Sequence, residues 1–147
     1  MTSDFDAVGK FHEQFGLPTQ YEVREPHLVP KEVWEFRLKF LQEELDELRE
    51  GYEQEDLVKI ADALVDLVYV ALGTAHFHHL PWDELFSEVQ RANLKKMRVK
   101  AVDDSKRQSE YDVVKPKGWT PPRIGHVLAQ NGWPGPPLPF AQEESEK

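Results

Sequence analysis

The sequence predicts an all-α chain with a four-helix-bundle-like core that associates as a homodimer or homotetramer. Three observations carry this. Apolar residues recur at spacings of three and four through the first two thirds of the chain, no segment reads as a strand, and two helical segments offer more apolar surface than four helices of one chain can cover.

Length and composition narrow the class. The chain has 147 residues, 18 Lys+Arg against 27 Asp+Glu, a net charge of −9, 11 prolines and no cysteine. This length fits one compact domain, taken as residues 1–130, followed by a Pro-rich acidic tail, 131–147, expected to be poorly ordered. Without cysteine there is no disulfide scaffold, thiolate zinc site or cysteine nucleophile. The N-terminus, MTSDFDAVGKF, is no secretion signal, and no stretch reaches the roughly 18 apolar residues of a membrane span, so a cytoplasmic protein without membrane contact is expected. The acidic balance argues against nucleic acid as a partner, because neutralising phosphates takes a clustered basic surface.

The elements follow in order. Phe5, Val8, Phe11, His12 and Phe15 lie at helical spacing, and Gly16-Leu17-Pro18 ends that short helix. Pro26, Pro30 and the β-leaning Tyr21 to Val23 keep the next stretch extended. A second helix, Pro30 to Tyr52, has its core stripe at Trp34, Leu38, Leu41, Leu45, Leu48 and Tyr52, with Gly51 near its stop. A third, Gln54 to Phe77, is apolar nearly all round from Ile60 to Leu72, with Asp62 and Asp66 the polar exceptions, and is therefore central. Pro81-Trp82-Asp83-Glu84 opens a fourth helix reaching Lys100. Lys115 to Pro122 reads as an irregular arm and Arg123 to Gln130 as a last short helix.

The acids fall where a soluble helix does not need them. With Leu41 at zero and about 100° per residue, the leucine seam lies within roughly 60° of zero, Glu44 falls at about 300°, Glu47 at about 240° and Glu43 at about 200°. Phe36 and Phe40, at about 220° and 260°, share that sector, so these acids continue an aromatic stripe rather than a solvent face. Asp46, Arg49 and Glu50 belong to the solvated face. On the third helix Asp62 and Asp66 stack one turn apart, where like charges repel and desolvation is costly. Bound divalent cations offset both effects. Hard oxygen donors on two neighbouring helices form a partial shell for Mg²⁺, with Mn²⁺ able to substitute, that is completed by water and substrate phosphates.

Two further clusters flank this pattern. His76, His78 and His79 lack ligand spacing for zinc and are expected to face water near the negative end of the third helix. Residues 31–62 carry 5 Lys+Arg against 11 Asp+Glu, whereas 91–107 carry 7 against 2. An acidic cage and a basic helix end in one small protein suit a polyphosphate substrate.

The motif Glu43-Glu44-x-x-Glu47, followed by an acidic, apolar helix, resembles the EExxE…ExxD signature of the MazG-like all-α nucleoside triphosphate pyrophosphohydrolases. Asp66-Leu67-Val68-Tyr69 with Gly73-Thr74-Ala75, Glu88-Val89-x-Arg91-x-Asn93-x-x-Lys96, and Lys115-x-Lys117-Gly118-Trp119-x-Pro121-Pro122 resemble the phosphoribosyl-ATP-pyrophosphohydrolase-like branch, so the likeness runs from Phe11 to Leu128. The chain departs from the signature three residues before Asp66, where Ala63 stands instead of Glu, and Asp62, one turn from Asp66, is read as the substitute.

The resemblance implies a MazG-type core, with Glu44, Glu47 and Asp66 as metal ligands. It implies that Glu43 binds a further metal or orients the water, with Glu43 and Glu47 catalytic. Asn93 and Lys96, with Lys95 beside them, would contact phosphate. The implied reaction is hydrolysis of a nucleoside triphosphate to monophosphate and pyrophosphate, with dUTP or another non-canonical nucleotide as the leading substrate. A phosphoribosyl-ATP pyrophosphohydrolase is the nearest alternative, set behind by the segment Phe11 to Pro30 and the arm after Lys106. A catalytically silent metal-binding interaction module is the alternative from another class.

Overall fold

A computed structural model describes residues 2–135, and the tail expected at 131–147 lies outside them from residue 136 onward. The chain divides into two compact units, one built from Met1–Pro81 with Asn131–Trp133 and the other centred on Trp82–Gln130. The first holds α1 (Asp4–Gln14), α2 (Lys31–Glu53) and α3 (Leu57–Phe77). The second holds α4 (Trp82–Leu94), β1 (Met97–Arg98), a 3₁₀ turn (Val102–Asp104), β2 (Val113–Val114) and α5 (Ile124–Gln130). Among the described residues no helix is long and apolar enough to cross a membrane.

Local chemistry sets the helix ends of the first unit. The Ser3 hydroxyl accepts from the Asp6 N–H (3.1 Å), with Asp4 and Asp6 in the first turn, so α1 starts on a side-chain cap. It stops at Gly16, whose φ of +68° suits a left-handed exit. Between α2 and α3 the connection is three residues long, and Asp56 caps α3 by accepting from the Lys59 N–H (3.1 Å). So tight a hairpin makes the two helices antiparallel: Arg37 meets Val70 and Thr74, and Gly51 meets Ile60.

The face that α2 turns toward α3 is not the leucine stripe. Its buried residues are Arg37, Glu44 and Gly51, seven apart, while Trp34, Leu38, Leu45 and Tyr52 are exposed and Leu41 and Leu48 half-buried. On the same wheel the buried face is centred at about 300°, roughly 60° from the seam. The cause is polar. Arg37 donates from Nη2 to the Val70 carbonyl (2.8 Å) and from Nε to the Thr74 hydroxyl (3.0 Å), with Phe77 and Phe40 beside its guanidinium at 5.0 and 5.5 Å. Gly73 makes room, since a Cβ there would stand 2.7 Å from Arg37 Nη2. Gly51, expected as a helix stop, instead lies within α2, where its missing side chain lets the Ile60 backbone approach.

The histidines also differ from expectation. His76 is wholly buried (0%) and His79 nearly so (2%). The His76 ring stacks on Phe5 at 3.8 Å, donates from Nε2 to the Phe5 carbonyl (2.9 Å) and accepts at Nδ1 from the Gln20 N–H (3.0 Å). His12 donates from Nδ1 to the Pro18 carbonyl (2.7 Å). The N-terminal segment thus covers the end of α3, which the dipole of α3 considered alone does not reveal.

In the second unit α4 ends at Leu94, not Lys100. The carbonyl of Ala92 accepts from the Trp119 indole Nε1 (2.7 Å), Lys95 and Lys96 close with i−3 bonds, and the chain leaves the helix to pair β1 with β2. That antiparallel pair, two residues on each side, is too short to leave a sequence signal. Glu88 joins α4 to α5 by accepting from Arg91 (2.8 Å) and from the Arg123 N–H (2.9 Å), and these partners hold its carboxyl down at about 2.

Burial holds both His12 and His76 below the ordinary histidine value of 6.5. Below 6.5 the unfolded chain therefore takes up protons that the folded first unit refuses, and stability present above 6.5 is lost as pH falls toward the folded values. Thermal melts should show the melting temperature dropping between pH 7 and pH 5, with a smaller drop in His76→Gln; an identical slope in that variant would contradict the assignment.

Candidate metal centre

Three carboxylates converge where α2 crosses α3. Ligand oxygens of Glu44, Glu47 and Asp66 all lie within 4.8 Å of one another. Glu44 comes from the buried heptad face of α2, Glu47 from one turn further along the same helix, and Asp66 from the side of α3 that meets them. Glu44 is 9% exposed, Asp66 is half-buried and Glu47 is exposed, so the cluster is walled on the helix side and open on the other.

The electrostatics are those of a site lacking positive charge. Burial pushes the Glu44 carboxyl above the usual glutamate range, and Glu47, Asp66 and Asp62 push it in the same direction. One oxygen of Glu44, Oε2, is buried with no hydrogen-bond partner. Among the described residues no Lys or Arg forms an ion pair with any of the three. An orphaned buried carboxylate oxygen facing two more carboxylates is a hard, all-oxygen donor set, which fits a divalent cation such as Mg²⁺ or Mn²⁺ and not a soft metal.

The other residues singled out by sequence fall in different places. Asp62, the proposed substitute ligand, is exposed and outside the three-residue group, although close enough to act on Glu44 through its charge. Glu43 is exposed on α2 and also outside the group. Asn93, Lys95 and Lys96 belong to the second unit, where Asn93 sits in the last turn of α4 and Lys95 and Lys96 lie beyond it. Sequence reasoning did not identify Arg37, which fixes the rotation of α2 and so decides which acids are buried. Its signal was available, a cation seven residues before Glu44 in a helix with two greasy sides.

A family model of phosphoribosyl-ATP pyrophosphohydrolases matches residues 8–93, which takes in α2, α3, all three converging acids and α4 as far as Asn93. No curated protein matches the chain. The match favours a phosphoribosyl-ATP-like substrate over the dUTP expected from sequence. It covers more than half of the chain, and the protein therefore belongs to the phosphoribosyl-ATP pyrophosphohydrolase family, within the MazG-like all-α superfamily.

Proposed function

We propose that the protein hydrolyses a phosphoribosyl-ATP-like nucleotide between its α and β phosphates, releasing pyrophosphate, with Mg²⁺ as the working cation. The observation that carries this is the partnerless buried oxygen of Glu44 beside Glu47 and Asp66. These three side chains would hold the cation. A bound divalent cation polarises phosphoryl oxygens and lowers the pKa of a ligated water.

The chain's own groups supply the rest. The uncompensated acids give the cluster its affinity for positive charge, and Asp62 adds to that field without joining the cluster. Glu43, exposed beside Glu44, is free to accept a proton from the attacking water, and Glu47 shares the water-facing side. Asn93, Lys95 and Lys96 are carried over from the resemblance as phosphate contacts.

Association follows from exposure. Leu64, Val65 and Val68 of α3 and Trp34, Leu38 and Leu45 of α2 are all exposed in the single chain. A second copy of the chain covers this surface in our reading, in a homodimer or a homotetramer.

Four outcomes test the proposal. With Mg²⁺, phosphoribosyl-ATP should release pyrophosphate, and faster than dUTP does; release of orthophosphate would refute the reaction. Mg²⁺ or Mn²⁺ at a hundredfold excess over Kd should stabilise the fold by about 2.7 kcal/mol, read as a higher melting temperature. Asp66→Asn and Glu44→Gln should lose that response and turnover while leaving the metal-free protein no less stable, because each removes like-charge repulsion. An unaltered metal response in both would refute the centre. Light scattering at micromolar concentration should return a dimer or tetramer, and a monomer would contradict the proposed association.

A further inference from the structure

The His12 ring is 2% exposed and faces a positive charge. Its Nδ1 donates to the Pro18 carbonyl (2.7 Å), which leaves Nε2 as the unprotonated nitrogen of a neutral imidazole. That nitrogen lies over Gly73. A Cβ on Gly73 would stand 2.9 Å from His12 Nε2 and 2.7 Å from Arg37 Nη2, so the imidazole lone pair and the guanidinium converge on one spot of α3 that Gly73 leaves open.

The surroundings hold no compensating anion. The charged and titratable groups facing the His12 ring are Arg37 from α2 and His76 from α3, the latter 5.3 Å away between ring centres. The loop after α1 presents the Pro18 carbonyl, and the other neighbours, Phe11 and Phe77, are apolar. Among the described residues neither His12 nor Arg37 forms an ion pair. His76 has both ring nitrogens engaged, with Phe5 and with Gln20, and Asp6, whose charge acts on it, accepts from the Tyr21 hydroxyl. Burial foremost, and the Arg37 charge after it, keep His12 below 6.5 even though the bond to Pro18 favours its charged form.

Protonation at Nε2 reverses the contact with Arg37. In place of a lone pair facing N–H groups, two cations meet in a buried site with no carboxylate between them. Arg37 is also what ties the two sides of the acid cluster together. It lies two turns before Glu44 on the buried face of α2, and its Nη2 bonds to the carbonyl of Val70, one turn after Asp66 on α3. A displaced guanidinium therefore loosens both the helix face and the helix turn that bring Glu44 to Asp66.

We propose that His12 is a pH-linked positioning residue for the acid cluster: neutral, it seats Arg37 against Val70 and Thr74 and so holds Glu44 beside Asp66; protonated, it repels Arg37 and weakens the cluster's grip on a divalent cation. The inference rests on the cluster being a cation site, as proposed above, and adds a control exerted from α1, which contributes no ligand.

Two measurements test it. In the metal-free wild type, NMR detection of the His12 ring nitrogens and of the Arg37 Nε–H from pH 7.5 to pH 5 should show Nε2 taking up a proton below 6.5, with the Arg37 resonance moving at the same midpoint as its bond to Thr74 loosens. An Arg37 signal that does not follow His12, or a His12 that stays neutral until the chain unfolds, would overturn the proposal. Calorimetric titration with Mn²⁺ then reads the cluster. His12→Gln, which cannot take up the proton, should bind Mn²⁺ within about twofold of wild type at pH 7.5 and about fivefold more tightly than wild type at pH 5. Carboxylate protonation is common to both chains and cancels in the comparison. A residue that only fills space would give parallel profiles, with the variant weaker or unchanged at both pH values, and that result would overturn the coupling while leaving the acid cluster standing. Wild type that binds no Mn²⁺ at either pH would fault the cluster itself and overturn both readings. If His12→Gln fails to fold by circular dichroism, the wild-type NMR titration decides alone.

Discussion

The arrangement of the first unit depends on one polar stripe, Arg37, Glu44 and Gly51, buried at seven-residue intervals along α2. Each position solves a different problem against α3. Arg37 ties α2 to α3 by donating to the Val70 carbonyl and the Thr74 hydroxyl, Glu44 brings a carboxylate to Asp66, and Gly51 contributes no side chain where the Ile60 backbone approaches. A buried guanidinium without a carboxylate partner is expensive, and its hydrogen bonds and three aromatic neighbours offset that cost. Turning this stripe inward necessarily turns the leucines outward.

Both functional features of the first unit follow from that rotation. Glu44 is buried because Arg37 sets the face, and burial beside Glu47 and Asp66 makes it a poor place for a proton-free carboxylate unless a cation joins it. The displaced leucines, together with the exposed valines of α3, leave apolar side chains on the outside of the single chain. The acid cluster and the exposed leucines thus lie on two sides of one helix.

Much of this was legible in the sequence. The helix order and the hairpin of α2 and α3 followed from apolar spacing and from Gly and Pro punctuation, and placing Glu44 at about 300° on the helical wheel put it off the solvent face. The wheel did not say which of two apolar sectors faces α3, because a guanidinium that bonds to a neighbouring helix's backbone has no hydrophobic signature. The histidines were misplaced for a related reason: a side chain is buried by whatever packs over it, here Phe5 and the Gln20 turn, more than fifty residues away in sequence. Likewise α4 was drawn too long because its end is fixed by Trp119, a tertiary partner that helical propensity cannot anticipate.

The central claim is that α2 and α3 hold Glu44 in a field of carboxylates that a divalent cation relieves. Carbon-detected NMR titration of the Glu44 carboxyl measures this directly. Without metal the group should titrate above the ordinary glutamate value of 4.5, and with saturating Mg²⁺ its pKa should fall as the cation competes with the proton. An ordinary value without metal, or a titration that Mg²⁺ does not move, would contradict the account.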